Sequence, residues 1–123
     1  MASILVIDDD EIMNGMIVQL LTEAGYHAEG ARDGKRGLTM LDAKPFDLIV
    51  TDIIMPEKEG IETIVAVRKK NKTLPIIAIS GGGKLGPAQY LHMAQQFGAD
   101  YAFQKPFNNE QFLAAVRECL AGA

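Results

Sequence analysis

Three carboxylates follow short apolar stretches of this chain. Asp8 and Asp9 come directly after the apolar run at 4–7. Asp52 ends a second run, which begins at Leu48. Carboxylates gathered at strand ends repel one another, and one would stay protonated unless a cation intervened. Because hard oxygen ligands with open water positions suit Mg²⁺, the three carboxylates are candidate ligands for that ion.

A hydroxyl and an ammonium group occupy comparable positions. Ser80 ends another apolar run, and Lys105 follows a mixed run just before Pro106. The glycine-rich stretch at 80–87 predicts a loop whose backbone N–H groups can face an anion. A metal ion, an ammonium, a hydroxyl and backbone amides arranged around Asp52 would stabilise a phosphoryl group on that carboxylate.

The strands that precede these groups alternate with helices along the whole chain. The predicted strands span 4–7, 27–31, 47–52, 75–80 and 101–104. Their alternation with helices predicts an α/β fold, in which helices cover both faces of a parallel sheet. The first, third and fourth strands are the most apolar, as central strands are, and this favours the order 2-1-3-4-5.

Apolar residues at helical spacing predict five helices. The first starts at the acidic residues Asp10 and Glu11 and ends at Gly25. The others span 35–43, about 61–70, 87–97 and a last segment after residue 108. Asn108 with Gln111 has the sequence pattern of a capping box for that last helix.

Size and composition restrict the class of protein. The 123 residues fit a single domain, 1–123, and the net charge of −4 argues against nucleic acid as a direct partner. The chain has one cysteine, which fits a reducing compartment, and no apolar run of the ~20 residues that a membrane span needs. The first residues lack the basic region of a signal peptide. We therefore expect a cytoplasmic protein without a membrane partner.

Several other side chains are predicted to have ordinary structural roles. Met13 and Met16 are expected to be mostly core residues of the first helix. Cys119 is expected to be a small core or half-exposed residue of the last helix. His27 and His92 have no ligand partners nearby in the sequence, and we expect both at the surface.

The four motifs together resemble a known family. Aspartates after the first strand, D-x-x-M-P around Asp52, Ser80 after the fourth strand and K-P-F at 105–107 are similar to the receiver domain of bacterial two-component response regulators. The resemblance covers essentially the whole chain and implies a doubly wound, flavodoxin-like (βα)5 fold with the same strand order, 2-1-3-4-5. Because 123 residues leave no room for a second domain, we expect a stand-alone, single-domain response regulator without an output domain. Such a protein is not an enzyme with an external substrate, although the family catalyses its own phosphorylation and dephosphorylation.

The resemblance also implies roles for the acidic residues. Asp52 would accept a phosphoryl group from a phosphohistidine on a histidine kinase or histidine phosphotransfer protein. Asp9 would bind Mg²⁺ directly, and Asp8 would hold it largely through water. The backbone carbonyl of Ile54 would complete the protein's share of the ligands.

Further expectations concern the groups that face the phosphoryl oxygens. Lys105 would pair with Asp52 and then with the phosphoryl group. Ser80 would move to hydrogen-bond that group and carry the loop with it. The resemblance also implies a cis peptide bond between Lys105 and Pro106.

One position departs from the family pattern. Many receiver domains have Tyr or Phe three residues before the lysine, where this chain has Ala102. Tyr101 lies one residue earlier, and successive strand residues face opposite sides of a sheet, so Tyr101 cannot simply replace the missing aromatic residue. We therefore expect activation to be read mainly through the 80–87 loop and the fourth helix.

Several alternatives remain open from the sequence. The protein could be a diffusible messenger for an unknown downstream protein target, or an intermediate or sink in a multistep phosphorelay. A phosphorylation-independent docking module of the same fold is a different class, and Ala102 leaves it possible. A small flavin-binding protein shares the topology, but the acidic residues at 8–11 would repel a phosphate there.

Overall fold

Five parallel strands form one sheet in the computed structural model, which describes residues 1–53, 59–80, 87–105 and 107–121. The strands are β1 (Ser3–Ile7), β2 (His27–Ala31), β3 (Leu48–Asp52), β4 (Ile76–Ser80) and β5 (Tyr101–Gln104). Their order across the sheet is β2-β1-β3-β4-β5, with every neighbouring pair parallel. The predicted α/β fold and strand order are confirmed.

In the described ranges, five helices follow the strands and cover both faces of the sheet. They are α1 (Glu11–Glu23), α2 (Gly34–Ala43), α3 (Glu59–Lys70), α4 (Pro87–Phe97) and α5 (Asn109–Ala121). Side chains of α2, α3 and α4 share one hydrophobic cluster with the sheet, and those of α1 and α5 share the other. The arrangement is the doubly wound one that the alternation predicted.

Side-chain alternation along the strands supplies both layers of the core. In β1, Ile4 and Val6 face the α1 and α5 side, whereas Leu5 and Ile7 face the other helices. All five residues of β3 and of β4 are buried, because these central strands have helices on both faces. The mixed strand β2 lies at one edge of the sheet, and only its last residue, Ala31, is buried.

Short polar side chains and glycines set the helix ends. Asp10 caps α1 by accepting the backbone N–H groups of Ile12 and Met13. Asn108 accepts the N–H of Gln111 at the start of α5, so this half of the predicted capping box is present. Gly98, with φ of +125°, follows α4 in the left-handed conformation that a glycine adopts readily.

One prediction about burial is wrong. Met16 is 60% exposed, because Ile17 and Leu21 occupy the inward-facing positions of α1. Met13 is partly buried against the core. Cys119 is buried and both histidines are exposed, as predicted.

No helix in the described part of the chain combines the length and the apolar character needed to cross a membrane.

Candidate functional site

The register of the sheet brings the chemically active residues to one edge. Thr51 pairs with Ile7. The residues that follow them, Asp52 and Asp8, therefore come side by side. Ser80 follows the residue that pairs with Asp52, and its own partner on β5 is the residue before Lys105. The predicted site residues of four strands therefore lie together because each is placed at, or one residue beyond, a carboxyl end.

Three carboxylates converge at this edge. Asp8, Asp9 and Asp52 each offer an oxygen, and these oxygens lie within 4.8 Å of one another. Asp8 is fully buried and Asp52 is 4% exposed, whereas Asp9 is exposed to solvent. Two oxygens bound to one Mg²⁺ lie at most about 4.2 Å apart, so small side-chain movements would bring the set onto one ion. The donor atoms fit a magnesium site that is open on the side of Asp9.

Lys105 bridges the two buried carboxylates. Its Nζ lies 3.0 Å from Oδ2 of Asp8 and 2.9 Å from Oδ2 of Asp52. Burial lowers the pKa of Lys105, but the hydrogen bonds to Asp52 and Asp8 outweigh burial and leave that pKa raised above its ordinary value. The ammonium is therefore charged at neutral pH and supplies the compensating charge that the buried carboxylates need.

Backbone hydrogen bonds fix the residues that carry these groups. The N–H of Asp10 donates to Oδ1 of Asp8 over 2.9 Å, so both oxygens of this carboxylate have partners. The N–H of Asp8 donates to the carbonyl of Ala31 on β2 over 3.1 Å. The N–H of Lys105 donates to the carbonyl of Ser80 over 2.7 Å, which ties the two neighbouring strand ends together.

Ser80 carries a buried hydroxyl at the end of β4. Its Oγ is inaccessible to solvent and has no hydrogen-bond partner within the described ranges. Leaving a buried hydroxyl without a partner costs about 1–3 kcal/mol, and an acceptor brought close to it would remove that cost. The hydroxyl is thus available to donate to an oxygen that arrives at the edge of the sheet.

The two residues around the atypical position of β5 face opposite sides of the sheet. Ala102 packs against the cluster shared by α2, α3 and α4, whereas Tyr101 packs against the α1 and α5 cluster. The hydroxyl of Tyr101 donates to Oε2 of Glu118 on α5 over 2.6 Å. The expectation that Tyr101 cannot replace an aromatic residue at position 102 is therefore confirmed geometrically.

Several expectations lie outside the described residues. They concern the backbone carbonyl of Ile54, the glycines of the 80–87 loop and the Lys105–Pro106 peptide bond.

Sequence reasoning missed two residues that contact the backbone of the site. An added Cβ on Gly60 would lie 2.4 Å from the carbonyl oxygen of Asp52. Asn14 of α1 donates to the carbonyls of Asp8 and Ala31. The only sequence signals were a glycine near the start of one helix and an amide among the apolar residues of another.

The arrangement has a definite chemical capacity. It offers a nucleophilic carboxylate at Asp52, acidic ligands for a divalent cation, an ammonium and a buried hydroxyl that has no partner among the described residues. Such groups around one carboxylate stabilise the charge that develops when a phosphoryl group is transferred to it.

Comparison with known proteins gives the same family throughout. The sequence profile described as "Response regulator receiver domain" matches residues 4–117. The transcriptional regulatory protein CpxR of Escherichia coli K12 is 33% identical over 120 residues, which are 98% of this chain and 50% of that protein. The chain thus spans about half the length of the curated relatives it matches.

Solved structures agree with this match. The receiver domain protein (CheY-like) of Methanospirillum hungatei superposes with a TM-score of 0.88 at 28% identity, covering 99% of this chain and 95% of that one. The chemotaxis protein CheY4 of Vibrio cholerae gives a TM-score of 0.83 at 32% identity, covering 98% of this chain and 99% of that one.

Proposed function

Because the chain belongs to the family of response regulator receiver domains, which act in two-component systems, we propose that Asp52 accepts a phosphoryl group from a phosphohistidine of a partner protein. The observation that carries this proposal is the bridge from Lys105 to Asp8 and Asp52, with Asp9 beside it. A buried carboxylate held by one ammonium and flanked by two further acids is costly, and phosphoryl transfer explains why these groups are gathered.

The proposed reaction is a displacement at phosphorus. A carboxylate oxygen of Asp52 attacks and forms a P–O bond, while the P–N bond to the donor imidazole breaks and its electron pair stays on that nitrogen. Lys105 already contacts the carboxylate and pairs with the phosphoryl oxygens as they arrive. Ser80 donates its buried hydroxyl to one of those oxygens. Positioning and charge balance are the main contributions that a protein makes to this chemistry.

Magnesium belongs to the proposed site. Asp8, Asp9 and Asp52 would hold it, together with the backbone carbonyl of Ile54 that the family resemblance implies. When bound, the ion neutralises negative charge on the phosphoryl oxygens. The exposed Asp9 leaves one side of the site open to water and to the incoming phosphodonor.

The protein would thus be a signal carrier that catalyses only its own phosphorylation and dephosphorylation. The proposed upstream partner is a histidine kinase or histidine phosphotransfer protein. As a response regulator receiver domain it would act in the cytoplasm, either by docking to a protein target when phosphorylated or by passing the phosphoryl group on. Return of the label to a phosphotransfer histidine indicates a relay, whereas a phosphorylation-dependent complex indicates a messenger.

The conformational signal is proposed to leave through α4 and the loop before it. Ser80 lies directly before that loop, and Ala102 provides no aromatic ring on the same face of the sheet. Hydrogen exchange, measured with and without a phosphoryl analogue, should change across residues 80–97. Unchanged protection from hydrogen exchange across that segment would contradict this part of the proposal.

The acceptor role is tested by intact-protein mass after incubation with a small-molecule phosphodonor and Mg²⁺. We expect one phosphate adduct in the wild type, no adduct without Mg²⁺ and none in Asp52→Asn. Asp42→Asn is the matched control, since this exposed aspartate pairs with Lys70 away from the site. If the small donor gives no adduct, the test is repeated with a phosphorylated histidine donor protein, and failure there overturns the proposal.

A second candidate is a docking module that works without phosphorylation. The observation in its favour is Ala102, because the aromatic residue that reads phosphorylation in many relatives is missing from that face. Such a module would bind its partner equally well as wild type and as Asp52→Asn. Binding that depends on the phosphorylated state excludes it.

A further inference from the structure

Asn14 lies where β1 and β2 end. Its Nδ2 donates to the carbonyl oxygens of Ala31 over 2.9 Å, Asp8 over 3.1 Å and, more weakly, Val6 over 3.4 Å. An amide group carries two hydrogens, so the first two contacts are the strong ones. One side chain of α1 therefore joins the ends of two neighbouring strands.

These contacts act on the main chain of a candidate metal ligand. Asp8 donates its own N–H to the carbonyl of Ala31, and its carbonyl accepts from Asn14. The peptide units before and after Asp8 are thus fixed. The second of these units joins Asp8 to Asp9. The direction of a carboxylate follows from its backbone, so this amide holds the main chain from which the Asp8 side chain extends.

Gly30 on β2 provides the space for the amide. A Cβ on Gly30 would lie 2.2 Å from Oδ1 and 3.1 Å from Cγ of Asn14. Any side chain at position 30 would therefore push the amide away from its acceptors. Asn14 on α1 makes the hydrogen bonds to the strand ends, and Gly30 on β2 leaves the room that they need.

We propose that Asn14 is a positioning residue for the magnesium site. Resting on the proposed function, this inference assigns to Asn14 the task of holding Asp8 and Asp9 in the geometry that binds the ion. Loss of the amide lets the end of β1 relax and weakens Mg²⁺ binding, although Asn14 itself does not contact the ion. Removal of a group that orients metal ligands typically costs about tenfold or more in metal affinity.

The test is the dissociation constant of Mg²⁺, obtained from amide chemical shifts during titration of metal-free protein. The variants are Asn14→Ala, which removes the donor, and Gly30→Ala, which displaces it. Gly15→Ala is the matched control, because it lies on the same helix and its added Cβ meets nothing within 4 Å. All proteins are compared at a temperature where each is fully folded, so that affinity is separated from stability.

We expect Mg²⁺ binding about tenfold weaker in Asn14→Ala and in Gly30→Ala, and unchanged in Gly15→Ala. Lower melting temperatures with unchanged Mg²⁺ affinity would show a merely structural role and overturn the inference. If Asn14→Ala does not fold, Asn14→Ser and Gly30→Ala decide by the same criterion. Equal Mg²⁺ affinity of the wild type and the three variants would overturn the role of Asn14 alone. Failure of the wild type to bind Mg²⁺ would instead overturn the metal part of the proposed function.

Discussion

Gly60 lies against the backbone of Asp52, with no room for a side chain between them. A Cβ at position 60 would be 2.4 Å from the carbonyl oxygen of Asp52 and 2.4 Å from the Cα of Ile53. Both contacts are with backbone atoms, which cannot rotate away as a side chain can. The start of α3 therefore approaches the end of β3 closely only because residue 60 is glycine.

Gly60→Ala should displace α3 from the end of β3. Overpacking of this kind typically costs about 1–3 kcal/mol, and we expect a loss in that range for the free energy of unfolding in urea. Gly15→Ala tests the opposite case, since its Cβ is unobstructed on an exposed helical position. Gly15→Ala should raise the free energy of unfolding by about 0.5–1 kcal/mol, as Gly→Ala does within helices. Equal effects of the two substitutions would contradict the contact described above.

Lys105→Met should destabilise the fold at neutral pH, because it leaves two buried carboxylates without their ammonium partner. Breaking a buried pair costs about 3–5 kcal/mol, and we expect about 2–3 kcal/mol here because the lysine side chain is 14% exposed. The measurement is urea unfolding of both proteins in metal-free buffer.

The pH dependence of that difference follows from the raised pKa of Lys105. A base whose pKa is higher in the folded state contributes its full stabilisation below the unfolded value of 10.5 and loses it as the pH rises through the folded value. The gap between wild type and Lys105→Met should be constant from pH 7 to 9 and shrink above about 10.5. A gap that persists unchanged at higher pH would show that lysine packing, not its charge, is responsible.

Tyr101 should ionise later than an ordinary tyrosine. The hydrogen bond to Glu118 and, to a lesser degree, burial raise the pKa of Tyr101 to about 12. Carbon-detected NMR of labelled tyrosine resolves each phenol, and Glu118→Gln should bring the Tyr101 pKa down towards 10. A Tyr101 titration that is the same in the wild type and in Glu118→Gln would show that the hydrogen bond does not form in solution.

Cys119 should react slowly with thiol reagents in the native protein. Burial, with smaller effects of Asp100 and Glu118, raises the pKa of its thiol to about 11. Relative to the ordinary 9.0, the reactive thiolate is about a hundredfold scarcer at pH 7. Alkylation followed by mass spectrometry should be at least that much slower in buffer than in urea, where the chain is unfolded. Similar rates in the two solvents would contradict the burial of this thiol.

The fold and the convergence of the candidate site residues could be predicted because each chemically active residue ends a strand or directly follows one. Apolar runs predicted the strands, and the alternation of strands with helices predicted a parallel sheet. The carboxyl ends of parallel strands share one edge, so no individual contact was needed to bring together Asp8, Asp52, Ser80 and Lys105. The prediction that Tyr101 and Ala102 face opposite sides of the sheet followed from side-chain alternation along a strand in the same way.

The residues that escaped prediction depend on how separate elements meet. Asn14 acquires its role only when α1 crosses the ends of β1 and β2, and Gly60 only when α3 packs onto β3. Neither distance is encoded in a local pattern. Met16 was misplaced for a related reason, since α1 is apolar over a wider arc than the sheet covers.

The bridge between Asp8 and Lys105 joins residues that are 97 positions apart in the chain. During synthesis the ribosome therefore releases Asp8, Asp9 and Asp52 long before Lys105, whose ammonium bridges Asp8 and Asp52, and the growing chain carries mutually repelling charges at the edge of an incomplete sheet. Arrival of β5 completes the sheet and brings the Lys105 ammonium to that edge, where it offsets part of the negative charge. The last strand thus stabilises an edge that earlier strands build, so a chain truncated before β5 should be less stable at the ends of β1 and β3 and not only lack its last strand.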